Sequence, residues 1–128
     1  MKLKVLSKQK AENYNGNSIT YEMNTNDNEY RKEILKRLFK SDKLCPQKIK
    51  IECLDNEALV TDSQYGPSII NIDINKYNNI QFIKYKAYYE GAKISITLDF
   101  KDNYLRIKGD YTDKFNDNIN EKLAEYIL

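Results

Sequence analysis

Histidine and tryptophan are absent from this sequence, and cysteine, glycine and proline are scarce: two, four and two in 128 residues. Each scarcity removes a class of chemistry. Without histidine, the side chain that ordinarily titrates near neutral pH is missing, and with it the Ser/His and Cys/His nucleophile pairs and most transition-metal sites. Cys45 and Cys53 alone cannot complete a tetrahedral zinc site. They are expected to be free thiols in a reducing compartment, with Cys53 an inert, packed residue of a strand. The glycines, at 16, 66, 91 and 109, are too scattered to build a phosphate-cradling loop. No apolar run is long enough for a leader peptide or a membrane span, so a cytoplasmic location is expected and no membrane partner within this chain.

Carboxylates are not scarce. Asp99, Asp102, Asp110, Asp113 and Asp117 crowd the carboxyl end, and a magnesium-dependent phosphoryl enzyme would need two or three of them to converge. Each has a simpler role: Asp102 in a turn, Asp113 and Asp117 at a helix start, Asp99 and Asp110 on a solvated face. No catalytic residue, metal ligand or cofactor is therefore expected.

What remains is ordinary for a globular protein: 41% apolar and 31% charged residues. A single α+β domain over residues 1–128 is expected. Eleven tyrosines and four phenylalanines suit half-buried sheets and binding surfaces. The net charge of +2 argues against a strong electrostatic polymer binder. It is uneven, because residues 1–50 carry twelve Lys/Arg against six Asp/Glu.

The first hairpin is signalled by Asn15-Gly16, with Leu3 and Val5 alternating on one arm and Ile19, Tyr21 and Met23 on the other. A turn on that dipeptide sets Ile19 opposite Glu12 and Tyr21 opposite Lys10, so either Lys stems cover the apolar face or the turn is wider. Residues 27–40 have helical spacing, with Tyr30, Ile34, Leu35 and Leu38 on one side and an Asn26/Glu29 capping pair; Pro46 follows the end. A second hairpin over 48–62, turning at Asp55–Asn56, sets Cys53 against Ala58 and Ile51 against Val60. Residues 63–68 read as a turn, and Ile69–Tyr77 as a short strand passing into one helical turn.

Strands at 80–89, 92–100 and 104–111 follow, turning at Glu90–Gly91 and Asp102–Asn103. Those turns pair Ala87 with Ile94, Tyr85 with Ile96 and Ile83 with Leu98. On the other side they pair Phe100 with Leu105, Leu98 with Ile107 and Ile96 with Gly109. Every apolar member falls on one face. Residues 113–128 supply a cover, an amphipathic helix bearing Phe115, Ile119, Leu123, Tyr126 and Ile127, with Thr112 or Asp113 as N-cap. The expected architecture is an antiparallel sheet of hairpins and a C-terminal three-stranded meander, with two amphipathic helices on one face. The last helix runs apolar to Leu128, as in a fragment of a longer protein.

The opposite face of the meander is the candidate binding surface. Its residues are Lys84, Lys86, Tyr88, Lys93, Arg106 and Lys108. The expected registers align Lys84, Thr97 and Lys108, and set Lys93 opposite Tyr88 and Arg106 opposite Asp99. Cations mixed with tyrosines on an open sheet suit a single strand of RNA. The basic face of the first helix (Lys32, Lys36, Arg37, Lys40) carries Glu29 and Glu33 at pairing distance and reads as solvated surface.

The run Ile94-Ser-Ile-Thr-Leu-Asp-Phe100, then Tyr104 to Asp110, then Asp113-Lys-Phe115 leading into Glu121–Ile127, resembles small α+β domains of uncharacterised bacterial proteins. Some of these are linked to anti-phage defence. The resemblance covers about residues 48–128, departs at Phe115 where Trp is expected, and implies no catalytic residues. The abundance of Lys, Asn, Ile and Tyr fits the same bacterial or phage setting. The first expectation is accordingly a non-catalytic protein-interaction or sensing module of a conflict system, with another protein as partner. The alternatives are an inhibitor or immunity protein that blocks a toxin or nuclease, and a single-stranded nucleic-acid binder using the polar sheet face.

Overall fold

The computed structural model describes residues 3–10, 16–23, 27–39, 41–53, 58–62, 80–89, 92–110 and 117–128. The elements run β1 (Val5–Lys10), β2 (Gly16–Glu22), α1 (Asn28–Phe39), β3 (Leu44–Cys53), β4 (Ala58–Asp62), β5 (Ile80–Tyr89), β6 (Ala92–Asp99), β7 (Tyr104–Asp110) and α2 (Asp117–Ile127). The fold is α+β. Among the described residues all pairings are antiparallel, in one seven-stranded sheet of order β1-β2-β7-β6-β5-β3-β4. β7 returns beside β2, so three strands separate β2 from β3, and α1 carries the chain between them.

Period-two alternation decides which side of each strand is buried. Ile83, Tyr85, Ala87 and Tyr89 of β5, Ile94, Ile96 and Leu98 of β6, and Leu105 and Ile107 of β7 are all buried. Ile19 and Tyr21 of β2 continue the same layer. Ile34, Leu35, Leu38 and Phe39 of α1 and Leu123, Ala124 and Ile127 of α2 join them in one core. The Phe39 and Tyr85 rings meet edge-on, with centroids 6.0 Å apart. Three hydrogen bonds tie the helices together. The Tyr30 hydroxyl (2.6 Å) and an Arg37 guanidinium nitrogen (3.0 Å) donate to the Leu128 carbonyl, and the Tyr126 hydroxyl donates to the Arg37 carbonyl at 3.1 Å.

Asn26 of the expected capping pair lies outside the described residues. Asp27 stands at the start of α1: its carboxylate accepts the Glu29 N–H at 2.9 Å, and its carbonyl accepts the Arg31 N–H. A side chain one residue ahead of the first helical position can reach the N–H of the second helical residue. The expected cap of α2, Thr112 or Asp113, and Phe115 lie outside the described residues, as do 63–79.

Three registers depart from those expected. In the first hairpin Ile19 faces Lys8 and Lys10 faces Asn17, so the connection is wider than Asn15-Gly16 implies. The register changes between Val5 and Ser7, where Leu6 is the extra residue. In the second hairpin Ala58 faces Glu52, not Cys53, and Ile51 faces Leu59, not Val60. β3 is held from its other side by β5, which aligns Ile49 with Tyr85 and Ile51 with Ile83. β3 also starts earlier than expected and includes Pro46, beside an irregularity between Pro46 and Lys48 where a missing N–H is tolerated.

The third departure matters most. β5 and β6 pair Ala87 with Ile94, Tyr85 with Ile96 and Ile83 with Leu98. Between β6 and β7, however, Leu98 faces Leu105, Ile96 faces Ile107 and Ile94 faces Gly109, two residues away from the register of a two-residue Asp102–Asn103 turn. The cause is Asp99, whose Oδ1 accepts the N–H groups of Lys101 (3.0 Å) and Asp102 (2.8 Å). That side chain folds a four-residue connection, Phe100 to Asn103, closed by Asn103 in the left-handed region at φ 55°. Phe100 leaves the pairing with β7, while its N–H still donates to the Gln81 carbonyl of β5 at 2.8 Å, and it is buried with the Arg31 guanidinium 4.7 Å above its ring. Burial pulls the Arg31 pKa below its ordinary value.

Candidate functional site

Both helices share the inner core, and the outer face of β5, β6 and β7 carries the complementary half of the alternation. Four rows cross it. The first is Phe82, Asp99 and Tyr104; the second Lys84, Thr97 and Arg106; the third Lys86, Ser95 and Lys108; the fourth Tyr88, Lys93 and Asp110. Neighbouring strands extend the rows in register: Lys50 and Lys48 of β3 lie opposite Lys84 and Lys86, and Thr20 and Ser18 of β2 lie opposite Arg106 and Lys108.

All six residues expected at the site therefore fall on one face, with two changes of neighbour. Lys84 and Thr97 align with Arg106 rather than Lys108, and Asp99 stands opposite Tyr104 rather than Arg106. Both follow from the longer β6–β7 connection. Lys93 stands opposite Tyr88.

The side chains form a shallow trough along β6. Its floor is Ser95 and Thr97, short and half-buried. Its walls are Lys84 and Lys86 on one strand and Arg106 and Lys108 on the other, all exposed. The walls stand roughly 10 Å apart, two strand spacings, and the floor from Lys93 to Asp99 is roughly 20 Å long. Tyr88 marks one end, and Phe82 and Tyr104 the other, each half-buried.

The walls of this trough carry charge of one sign. Among the residues whose side chains are described, no carboxylate makes an ion pair with Lys84, Lys86 or Arg106; the ion pairs lie elsewhere, at Lys4–Glu22, Lys32–Glu29 and Arg37–Glu33. Of the acids on the same face, Asp99 is turned into its own loop, Glu22 pairs with Lys4, and Asp110 stands opposite Lys93 at the end of the trough. Arg106 is held in place: its Nε donates to Thr20 Oγ1 at 3.1 Å and its guanidinium lies 5.0 Å from the Tyr104 ring centroid. One of five guanidinium donors is used in this way, and the plane stays over the ring. The α1 cations behave differently, with Lys32 and Arg37 each near a glutamate one helical turn away.

Sequence reading missed Phe82, Tyr104 and Thr20 as members of this surface. Phe82 and Tyr104 alternate correctly with buried neighbours, so their face was readable; their convergence on Asp99 depended on the register. Thr20 joins only through the pairing of β2 with β7, which separates partners by some ninety positions and leaves no local signal.

Among the described residues no group of three His, Cys, Asp or Glu is placed to hold a metal ion, and no helix is long and apolar enough to cross a membrane. The side chains of Cys45 and Cys53 lie outside the described set. Comparison with family models, with curated proteins and with solved structures finds no match to this chain.

Proposed function

We propose that this chain is a non-catalytic binding module that recognises an anionic macromolecule through the outer face of β5, β6 and β7. The observation that carries this reading is the trough: exposed cations on two strands flank a hydroxyl-bearing strand, with no carboxylate paired to Lys84, Lys86 or Arg106 among the residues whose side chains are described. Structural cations are ordinarily interspersed with acids, as on α1. Lys84 and Arg106 flank Thr97, and Lys86 and Lys108 flank Ser95, so like charges gather across the floor and a ligand that neutralises them relieves their repulsion. Both helices join the core on the inner face, and Lys84, Lys86, Lys93, Arg106 and Lys108 of the outer face are exposed, which supports the same reading. The modest net charge of +2 means that attraction is local to the trough and not a property of the whole molecule.

Heparin, a flexible polyanion, is a suitable first probe. Wild-type protein should bind it in a salt-dependent manner, and the double change Lys84→Glu with Lys86→Glu should abolish binding at moderate ionic strength. The control is Lys32→Glu with Lys36→Glu on α1, which alters the net charge by the same amount. If the two double variants lose binding equally, attraction is a matter of total charge and the proposed surface is wrong.

A further inference from the structure

Resting on the anion-binding reading above, we infer that the anionic partner is a single-stranded nucleic acid lying along β6, its phosphates held by the two walls and its bases stacked at the aromatic ends. Charge alone selects any polyanion. The additional observation is where the rings stand. On the outer face Phe82 and Tyr88 of β5 flank Lys84 and Lys86, and Tyr104 of β7 precedes Arg106 and Lys108; each ring is half-buried without belonging to the apolar core. A phenylalanine on the charged side of a strand gains nothing from packing under the helices, and its aromatic face suits a planar partner. Two rings flank Asp99, on β5 and β7, and the third stands at the opposite end beside Lys93.

This spacing discriminates among polyanions. A single strand can splay its bases outward and place them on aromatic side chains while its backbone follows a basic groove; a duplex keeps its bases stacked inside, and heparin has no π-face. The trough floor is also narrow. Walls roughly 10 Å apart admit one chain and not the full width of a double helix. Ser95 and Thr97 add hydroxyls able to donate to phosphate or sugar oxygens along the floor. Arg106, pre-set over Tyr104 at 5.0 Å, presents a second planar surface beside the ring.

The test is a fluorescence-anisotropy titration with three probes at one ionic strength: a labelled single-stranded RNA of twelve nucleotides, a DNA duplex of equal length, and sodium polyglutamate as an acidic polypeptide. Heparin serves as competitor. The protein is wild type, the triple change Phe82→Leu, Tyr88→Leu, Tyr104→Leu, and Tyr88→Leu alone. Leucine keeps apolar bulk and removes the π-face, and the single variant guards against a triple variant that folds poorly. Single-stranded RNA should bind most tightly, and each lost ring should weaken it by roughly tenfold, with heparin affinity unchanged. With about four phosphates contacted, a fourfold rise in salt should weaken RNA binding roughly 50-fold.

If folded leucine variants bind RNA as wild type does, or if the duplex binds as tightly, the inference falls and the anion-binding reading survives. Preference for polyglutamate over RNA overturns it in favour of an acidic protein partner. Failure to bind any of the four polyanions removes both.

Discussion

The two faces of β5, β6 and β7 share one backbone and differ in almost every other respect. On the inner face, Ile83, Leu98 and Leu105 form one row and Tyr85, Ile96 and Ile107 the next, all buried. One residue along each strand, the outer face carries Lys84, Thr97 and Arg106, then Lys86, Ser95 and Lys108. The inner rows are complementary within the molecule. The outer rows are not: they gather like charge, and no described acid pairs with Lys84, Lys86 or Arg106. A surface built only for solubility intersperses its charges, so the difference separates the residues that specify the fold from those available to a partner.

The contrast predicts that damage to the two faces should have separable consequences, and the inner face should show the largest effect. Leu98 is fully buried between Ile83 and Leu105, beneath both helices' shared core. Leu98→Ala should cost about 2–5 kcal/mol, the loss of transfer energy plus a cavity the neighbours only partly fill. Its neighbour Thr97, half-buried on the other face, should tolerate Thr97→Ala within about 1 kcal/mol. Urea denaturation of both variants checks this. A Thr97→Ala loss as large as that of Leu98→Ala would mean that the outer face is packed too.

A middle-sized effect concerns the connection that sets the register between these faces. The α+β class and the antiparallel sheet were legible in the sequence, because alternation at period two and apolar spacing at helical period are written locally. The face of each trough residue was legible for the same reason. Register was not. Moving the β6–β7 pairing by two residues leaves every side chain on its own face, so matching apolar residues could not distinguish Leu98–Ile107 from Leu98–Leu105. The arbiter was a side chain, Asp99 accepting two loop N–H groups, together with one residue at positive φ. The second hairpin departs for a different reason: its own turn specifies one register, whereas β3 is also fixed by β5. The place of β2 beside β7 had no local signal at all.

Asn103 tests that account. Its φ of 55° suits Asn or Gly and penalises a residue with an ordinary Cβ, while its carbonyl accepts the Met23 N–H at 2.8 Å and so ties the connection to the end of β2. Asn103→Ala should therefore cost about 1 kcal/mol, and Asn103→Gly only a few tenths, on the order of 0.3 kcal/mol. Equal losses in the two variants would show that the Asn side chain, and not the backbone conformation, holds the connection.

The smallest expected effect carries the opposite sign, and it sharpens the comparison most. Lys86 lies opposite Lys48 on one neighbouring strand and Ser95 on the other, and Lys84 lies opposite Lys50. Like charges at directly opposed positions destabilise a sheet, by about 0.2–1 kcal/mol for each pair. Lys86→Glu replaces one like-charge pair of opposed positions with an unlike one, at a β3 position whose other neighbour is Asp62. Thermal unfolding at low salt should therefore show a gain of about 0.5 kcal/mol, shrinking as salt screens exposed charges. The same substitution should weaken polyanion binding. Stability gained where binding is lost is the trade-off expected of a surface that serves a ligand. If Lys86→Glu instead destabilises the protein as a core substitution does, Lys86 belongs to the packing, and the outer face loses its claim to be free for a partner.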